Sequence, residues 1–488
     1  MKSLRRIVLV LLASSVGQSL AATAEHVYDI RDYGAAPGGK TLCTSAIQTA
    51  VDRCAAGGGT VYFPPGRWLS GTVELRSHVT LRLDSGCRWL GSSNPADYPE
   101  WAPKVRSYSD RYRRQSLIRG EDLEHVAICG LGAIDGQGGK FRWQGYKNRP
   151  FLILLVNCRN VLIENVSLYN SAMWMQQYLT CQRVTIRGIT VVNHATYNDD
   201  GIDLDGCRGA VVSDCKIDSD DDGICLKSTC ERPCENVTIT NCVVCSHCNA
   251  IKMGTESHGG FRNIAISNCA VYSPADTKTI YGKDRGMGGL ALEVVDGGVL
   301  ENVAVSNLSI DGVMTPIFLR LGNRARPIDK GLPKPGVGTF HNVVLCNIVA
   351  TRASKVGCSI TGIPGHPMEN VQLSNIQITS DGGGTRQQAA AKVPEKEDQY
   401  PESTMFGTLP AYGFYCRHVA GLKLRDVRLR TDQPDVRPAV VSEDVKELVL
   451  DGFDVPPTAG PAVRLIHSPG AVVRNSGGAV VEADKEHH

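Results

Sequence analysis

The sequence predicts an all-β chain wound as a single-stranded, right-handed parallel β-helix, a solenoid of stacked coils closed by a short N-terminal capping helix. Three observations carry that expectation: one apolar motif recurs, its spacing is nearly constant, and no helical periodicity competes inside the repeats. The motif is an apolar strand, then Asn, Asp or Gly, then a second apolar stretch. It occurs as NVLIENVSL from Asn160, RVTIRGITV from Arg183, GAVVSDCKI from Gly209 and NVTITNCVV from Asn236. It continues as NIAISNCAV from Asn263, NVAVSNLSI from Asn302, NVVLCNIVA from Asn342, NVQLSNIQI from Asn370 and GLKLRDVRL from Gly421. Steps of 23 to 28 residues dominate, and longer ones of 39, 40 and 51 place insertions in loops. Short alternating strands repeating at this length describe a solenoid, with coils about 4.8 Å apart. The Leu spacing of a leucine-rich repeat is absent.

The remaining elements follow in chain order. Residues 1–21 combine Lys2, Arg5 and Arg6, an apolar run from Ile7 to Ala13, and small residues at Ser19 and Ala21, the layout of a secretory signal peptide cleaved near Ala21. The protein is therefore expected to be secreted or periplasmic. No later apolar run approaches the roughly 20 residues of a membrane span, and no Cys follows the cleavage site, so no membrane anchor is expected. Removing those three cations takes the formal charge from +2 to −1, and without a basic stripe no nucleic-acid partner is expected. Residues 22–75 form the N-terminal cap and first strands: Ile47, Val51 and Cys54, at i, i+4 and i+7, mark a short amphipathic helix over Ala46 to Ala55. Residues 76–480 form the β-helix. One segment, about 380–415, breaks the rhythm; it is polar at first, then holds Tyr400, Phe406, Tyr412, Phe414 and Tyr415. A segment of that length is either disordered or functional, and its aromatics favour a loop folded over the surface beside a groove.

The 18 cysteines of an exported chain suggest disulfides, yet the repeat accounts for several of them otherwise. Cys215, Cys242 and Cys269 lie 27 residues apart at one coil position, in line with Ile189 and Leu308. They are expected to stack inward as small apolar residues. That placement also argues against a metal motif in Cys242-x-x-Cys245-x-x-Cys248. Cys230 and Cys234 flank a turn and are the better disulfide candidates.

Candidate chemistry concentrates in DSDDDGICLKS, Asp218 to Ser228. Asp218, Asp220, Asp222 and Gly223 match the opening of an EF-hand loop, but Thr229 stands where the bidentate Glu belongs and the flanks are strands. A solvated turn explains Asp218 and Asp220. It does not explain the register of their neighbours. Aligning Asp200-Gly-Ile-Asp203-Leu, Asp222-Gly-Ile-Cys225-Leu and Asn249-Ala-Ile-Lys252-Met stacks the Ile and Leu/Met positions inward. Asp203, Cys225 and Lys252 then point out, as do Asp205 and Lys227. Asp200, Asp222 and Asn249 form a column at the strand entry, and Asp221 joins Asp200 and Asp222 on one patch. Like charges so close raise at least one pKa, and two carboxylates in different protonation states suit acid–base cleavage of a glycosidic bond.

At these residues the sequence resembles the polygalacturonase-type family of pectin-degrading glycoside hydrolases. The family's N-T-D motif corresponds to Asn198-Asp199-Asp200 and its D-D motif to Asp221-Asp222. The likeness extends to YDIRDYGAAPGGK, to GGGTVYFPPGRWLSGTVELRSHVTL and to GLGAIDGQG from Gly130 to Gly138. The resemblance implies a right-handed parallel β-helix and inverting hydrolysis with Asp221 as general acid and Asp200 with Asp222 holding the water. Two departures mark a divergent member. The family's Gly-His-Gly corresponds to Cys248-Asn249-Ala250, with His247 either substituting for the missing His or lying on the surface. The family's Arg-Ile-Lys corresponds to Ala291-Leu292-Glu293, and Glu293 is expected to pair with Arg320 one coil later. Lys252 and Lys227 are candidates to meet a uronate carboxylate, with Asp203 beside them. Trp174 either stacks on a sugar ring or packs in the wall.

The expectation is a divergent hydrolase acting on a pectic or related acidic polysaccharide or oligosaccharide, exo-acting or rhamnogalacturonan-directed, monomeric, with no cofactor and no metal at the site. A β-helix polysaccharide lyase would instead leave unsaturated, ultraviolet-absorbing ends, and a non-catalytic glycan-binding β-helix would have no use for convergent aspartates.

Overall fold

Alternating strands separated by single Asn or Gly corners close on themselves and stack, as the period predicts. The computed structural model describes residues 26–112, 115–274, 278–456, 461–476 and 481–483; the signal peptide expected over 1–21 lies outside them. Among the described residues 35 strands form one sheet in which every paired strand is parallel. The chain is a right-handed parallel β-helix. At its N-terminal end α1 (Thr44–Ala55) buries Ala46, Ile47, Ala50, Val51 and Cys54 against strands Val27–Asp29 and Gly59–Phe63.

Six strands build the wall that matters for function: β1 (Gln176–Leu179), β2 (Ile202–Asp205), β3 (Ile224–Ser228), β4 (Asn249–Ser257), β5 (Gly288–Val294) and β6 (Thr315–Leu321). Ile202, Ile224, Ile251, Leu290 and Ile317 are register partners from coil to coil, and all are fully buried. Their inward column leaves the alternate residues, Asp203, Cys225, Lys252 and Ala291, on the outer face. Cys215, Cys242 and Cys269 stack in the core as expected, with Cys269 opposite Leu308. The Cys230–Cys234 disulfide is not formed; the Cys234 thiol instead donates to the Leu204 carbonyl at 3.6 Å, inside the coil.

The corners explain the recurring Asn. Asn263, Asn302, Asn342 and Asn370 adopt φ of 52 to 58°, a left-handed conformation that Asn tolerates better than most residues. Each amide donates to the Asn one coil earlier, at 2.8 to 3.3 Å. We expect Asn302→Ala to cost about 1–2 kcal/mol, the penalty of an ordinary L-residue in this region, and Asn302→Gly clearly less. Urea unfolding of the two variants checks this; equal losses would show that the amide, not the backbone angle, is what the corner needs.

After the strand Met368–Gly382, residues 383–413 leave the coils, form the short helix α2 (Arg386–Ala389), and return at Phe414–Gln433. Two buried guanidinium groups hold this loop down: Arg320 donates to the Glu395 and Lys396 carbonyls at 2.7 and 3.2 Å. Arg417 donates to the Val393 and Pro394 carbonyls at 2.7 and 3.1 Å. This overturns the expected Glu293–Arg320 pair. The two residues are register partners, but the loop supplies carbonyls that use the Arg320 donors, and Glu293 lies 4.0 Å from Lys252 instead.

Candidate active site

Asp200 and Asp222 each stand two residues ahead of a wall strand, and Asn249 opens the next. The Gly201 amide donates to the Asp222 carbonyl and the Gly223 amide to the Asn249 carbonyl, both at 2.9 Å, so the three residues form one column. Glycine follows both aspartates because the coils nearly touch there: a Cβ would lie 2.5 Å from the Gly223 oxygen at position 201 and 2.6 Å from the Ala250 oxygen at position 223.

Asp221 and Asp222 are neighbours in different environments. Asp221 Oδ1 accepts from the Asp222 amide at 2.9 Å, and the Tyr281 hydroxyl donates to Oδ2 at 2.6 Å. Burial, with the Asp222 anion beside it, holds the Asp221 carboxyl above the usual range. For Asp222 burial acts in the same direction, but Lys252, Lys227 and the Asn249 amide outweigh it and the carboxyl sits below the usual range. Lys252 Nζ is 3.0 Å from Asp222 Oδ2, and Asn249 Nδ2 donates to Oδ1 at 3.1 Å. Asp200 is 3.1 Å from Lys227, which also lies 3.3 Å from Asp203. Burial pushes Asp200 up and Asp203 to about 7, since two buried carboxylates share one cation. Adjacent carboxyls driven in opposite directions are the arrangement that separates an acid from a base.

A cavity of about 200 Å³ opens over these groups; Asp200, Asp221, Asp222, Lys227, Trp174 and Tyr400 all line it. Trp174 packs edge-on against Phe151 and Tyr112, with Lys227 Nζ 4.3 Å from its ring centroid. Asn249 is fully buried: its carbonyl accepts from Ser403 at 2.6 Å and its amide reaches Glu402 at 3.4 Å. Asp203 and Lys252 are likewise buried below the cavity floor. His247 lies on the flank, 2.9 Å from Asp220. Asp199 braces the strand entry, accepting from the Thr196 amide and hydroxyl at 2.6 and 2.8 Å; burial raises it to about 7.

Sequence reasoning missed four contributors. Tyr281 comes from an insertion, and Tyr400 had no register to tie it to the aspartates, although its loop was expected beside a groove. Glu256 and Arg326, both lining the cavity, pair at 2.7 Å, and Arg326 also meets Asp296 at 2.8 Å. The signal for Glu256 was masked by a slip: Leu226 pairs with Met253, but Ser228 pairs with Ser257.

Fold and site together define a parallel β-helix protein with a carboxylate pocket on its outer wall. The family model for glycosyl hydrolases family 28 matches residues 79–398, and the chain belongs to that family. Residues 27–89 match a second model, described as rhamnogalacturonase A/epimerase, pectate lyase-like. A probable polygalacturonase of Vitis vinifera is 36% identical over 220 residues, 42% of this chain and 44% of that protein. An exo-poly-alpha-D-galacturonosidase of Dickeya chrysanthemi is 41% identical over 122 residues, 23% of this chain and 20% of that protein. The alignments thus span less than half the length of these curated relatives. Among solved structures, a hyperthermoactive exopolygalacturonase of Thermotoga maritima superposes with a TM-score of 0.65 at 21% identity, covering 83% of this chain and 92% of its own. That likeness is one of fold.

Proposed function

We propose that the protein is a polygalacturonase-like glycoside hydrolase that releases a terminal sugar from a pectic or related acidic polysaccharide or oligosaccharide by inverting hydrolysis. The observation that carries this reading is the pair of adjacent aspartates held in opposite protonation tendencies at the floor of one cavity. Asp221 gives its proton to the leaving glycosidic oxygen as the bond to the anomeric carbon breaks. Asp222, with Asp200, takes a proton from the water whose oxygen bonds to that carbon from the opposite face. Lys252 keeps Asp222 ionised for this task.

End-wise attack is supported by the cavity itself. Tyr400 of the 383–413 loop, which leaves the coils, forms part of its wall. Among the described residues, Lys227 and Arg326 are the cations that line it and offer charge to a uronate carboxylate, while Trp174 offers the edge of an aromatic ring. Asn249, Lys252 and Asp203 act from below by holding the catalytic carboxylates, and His247 acts from the flank. On this reading a leader over residues 1–21 delivers a monomer to the periplasm or beyond, where such polymers are met.

The test is product sizing on polygalacturonan, rhamnogalacturonan and their oligosaccharides. Monosaccharide released from the first minutes supports the proposal. An early ladder of oligomers overturns the end-wise mode, unsaturated products absorbing in the ultraviolet overturn hydrolysis, and no release from any acidic glycan overturns the reading altogether.

A further inference from the structure

Beside the catalytic carboxylates, and outside their cavity, the coils build a second cluster. Asn193, Ser219 and Ser246 are register partners in three successive coils, and the residue after each is His194, Asp220 and His247. Coil stacking therefore sets an imidazole above and below one carboxylate. Both Nδ1 atoms face Asp220 Oδ1, His194 at 2.7 Å and His247 at 2.9 Å, and one donor atom from each residue lies within 4.8 Å of the others. His247 is 8% exposed, and its Nδ1, aimed into the cluster, makes no hydrogen bond of acceptable geometry among the described residues. The other nitrogen of His194, Nε2, lies 3.2 Å from Asp218 Oδ1. That is the outer carboxylate that metal-bound histidines characteristically engage to fix their ring and tautomer.

We propose that His194, Asp220 and His247 form a binding site for a divalent transition-metal ion, with zinc the ion this donor set suits and Asp218 the outer-sphere partner of His194. Two imidazoles and one carboxylate are the donors zinc takes at about 2.0–2.2 Å, whereas calcium and magnesium call for all-oxygen shells. Tetrahedral bonds of that length separate donors by roughly 3.3 Å, so the cluster opens by about half an ångström on uptake, and water supplies the fourth ligand from the exposed side of His194. The ion ties three coils together at the residue that precedes Asp221 and Asp222, which gives it a structural part in holding the catalytic turn. The inference stands whether or not the hydrolase reading does, because its readout is binding.

Full-length protein is stripped with chelator, then titrated with zinc by calorimetry and with cobalt by absorption spectroscopy. One ion per chain is expected, with cobalt d–d bands and a rise of several degrees in Tm on zinc addition. His194→Gln and His247→Gln, folded by circular dichroism, lose the bands and the stoichiometric uptake, while His366→Gln, remote from the cluster, keeps both. Should the glutamine variants not fold, Asp218→Asn decides: it retains the three donors and is expected to bind zinc about 10–100-fold more weakly. Absence of saturable binding, binding that survives in both glutamine variants, or an unchanged affinity in Asp218→Asn overturns the site and leaves a plain His–Asp–His ion-pair column.

Discussion

Asp221→Asn is expected to lower kcat on the glycan substrate about 10²–10⁴-fold, the range that a positioned general acid contributes, and to leave the fold intact, if Asp221 is the acid proposed above. Asparagine has the same shape: its Oδ1 can still accept from the Asp222 amide, and its Nδ2 can donate to the Tyr281 hydroxyl, which turns to accept. It has no acidic proton to give the leaving oxygen. The role is separable from a merely structural one by the leaving group: an aryl glycoside with an acidic phenol needs little protonation and keeps far more of its rate in the variant. Reducing-sugar assays on both substrates provide the check. Activity on the glycan above about a third of the parent, or equal losses on both substrates, would remove Asp221 from the acid role.

The second large effect is expected at Lys252, whose ammonium group lies between Asp222 at 3.0 Å and Glu293 at 4.0 Å in a region closed to solvent. Breaking a buried ion pair from one side costs about 3–5 kcal/mol, because an unpaired charge stays behind. Lys252→Met should lose that much stability and most activity, since Asp222 then loses the stronger of the two cations that keep it ionised. Glu293 makes the experiment sharper. Neither of its oxygens has a hydrogen-bond partner among the described residues, and burial already pushes its carboxyl well above the usual range. Adding Glu293→Gln removes one of the stranded acids, so the double variant should regain part of the lost stability without regaining activity. Urea unfolding of the single and double variants measures the coupling; a double variant no more stable than Lys252→Met would mean that Glu293 is not part of the charge group.

These two sites differ in how far they were legible beforehand. The column of Asp200, Asp222 and Asn249 could be drawn from the chain because β2, β3 and β4 keep a plain register at their entries, and alternation sends Ile224 and Leu226 inward. The same logic placed Cys215, Cys242 and Cys269 in the core. It failed where a residue's partner is not its coil neighbour. Arg320 and Glu293 are coil neighbours, yet Arg320 serves the carbonyls of a loop some 75 residues downstream. Cys230 and Cys234 are close in sequence, yet Cys234 donates inside the coil to Leu204. Glu256 was hidden because β4 slips by two residues against β3 between Met253 and Ser257, which a constant step cannot reveal.

By itself the sequence determined the strands, the coil register, the inward and outward faces, and hence which aspartates share a patch. Each of those follows from alternation within a strand and a repeat between coils, both local and periodic. Only the tertiary structure decided that Asp221 is driven up while Asp222 is held down, that Asn249 is covered by Glu402 and Ser403, and that Tyr400 closes the wall. Those outcomes depend on burial and on side chains delivered by loops outside the repeat. A loop's path is set by where its carbonyls and aromatic rings find partners, and no period in the chain records that.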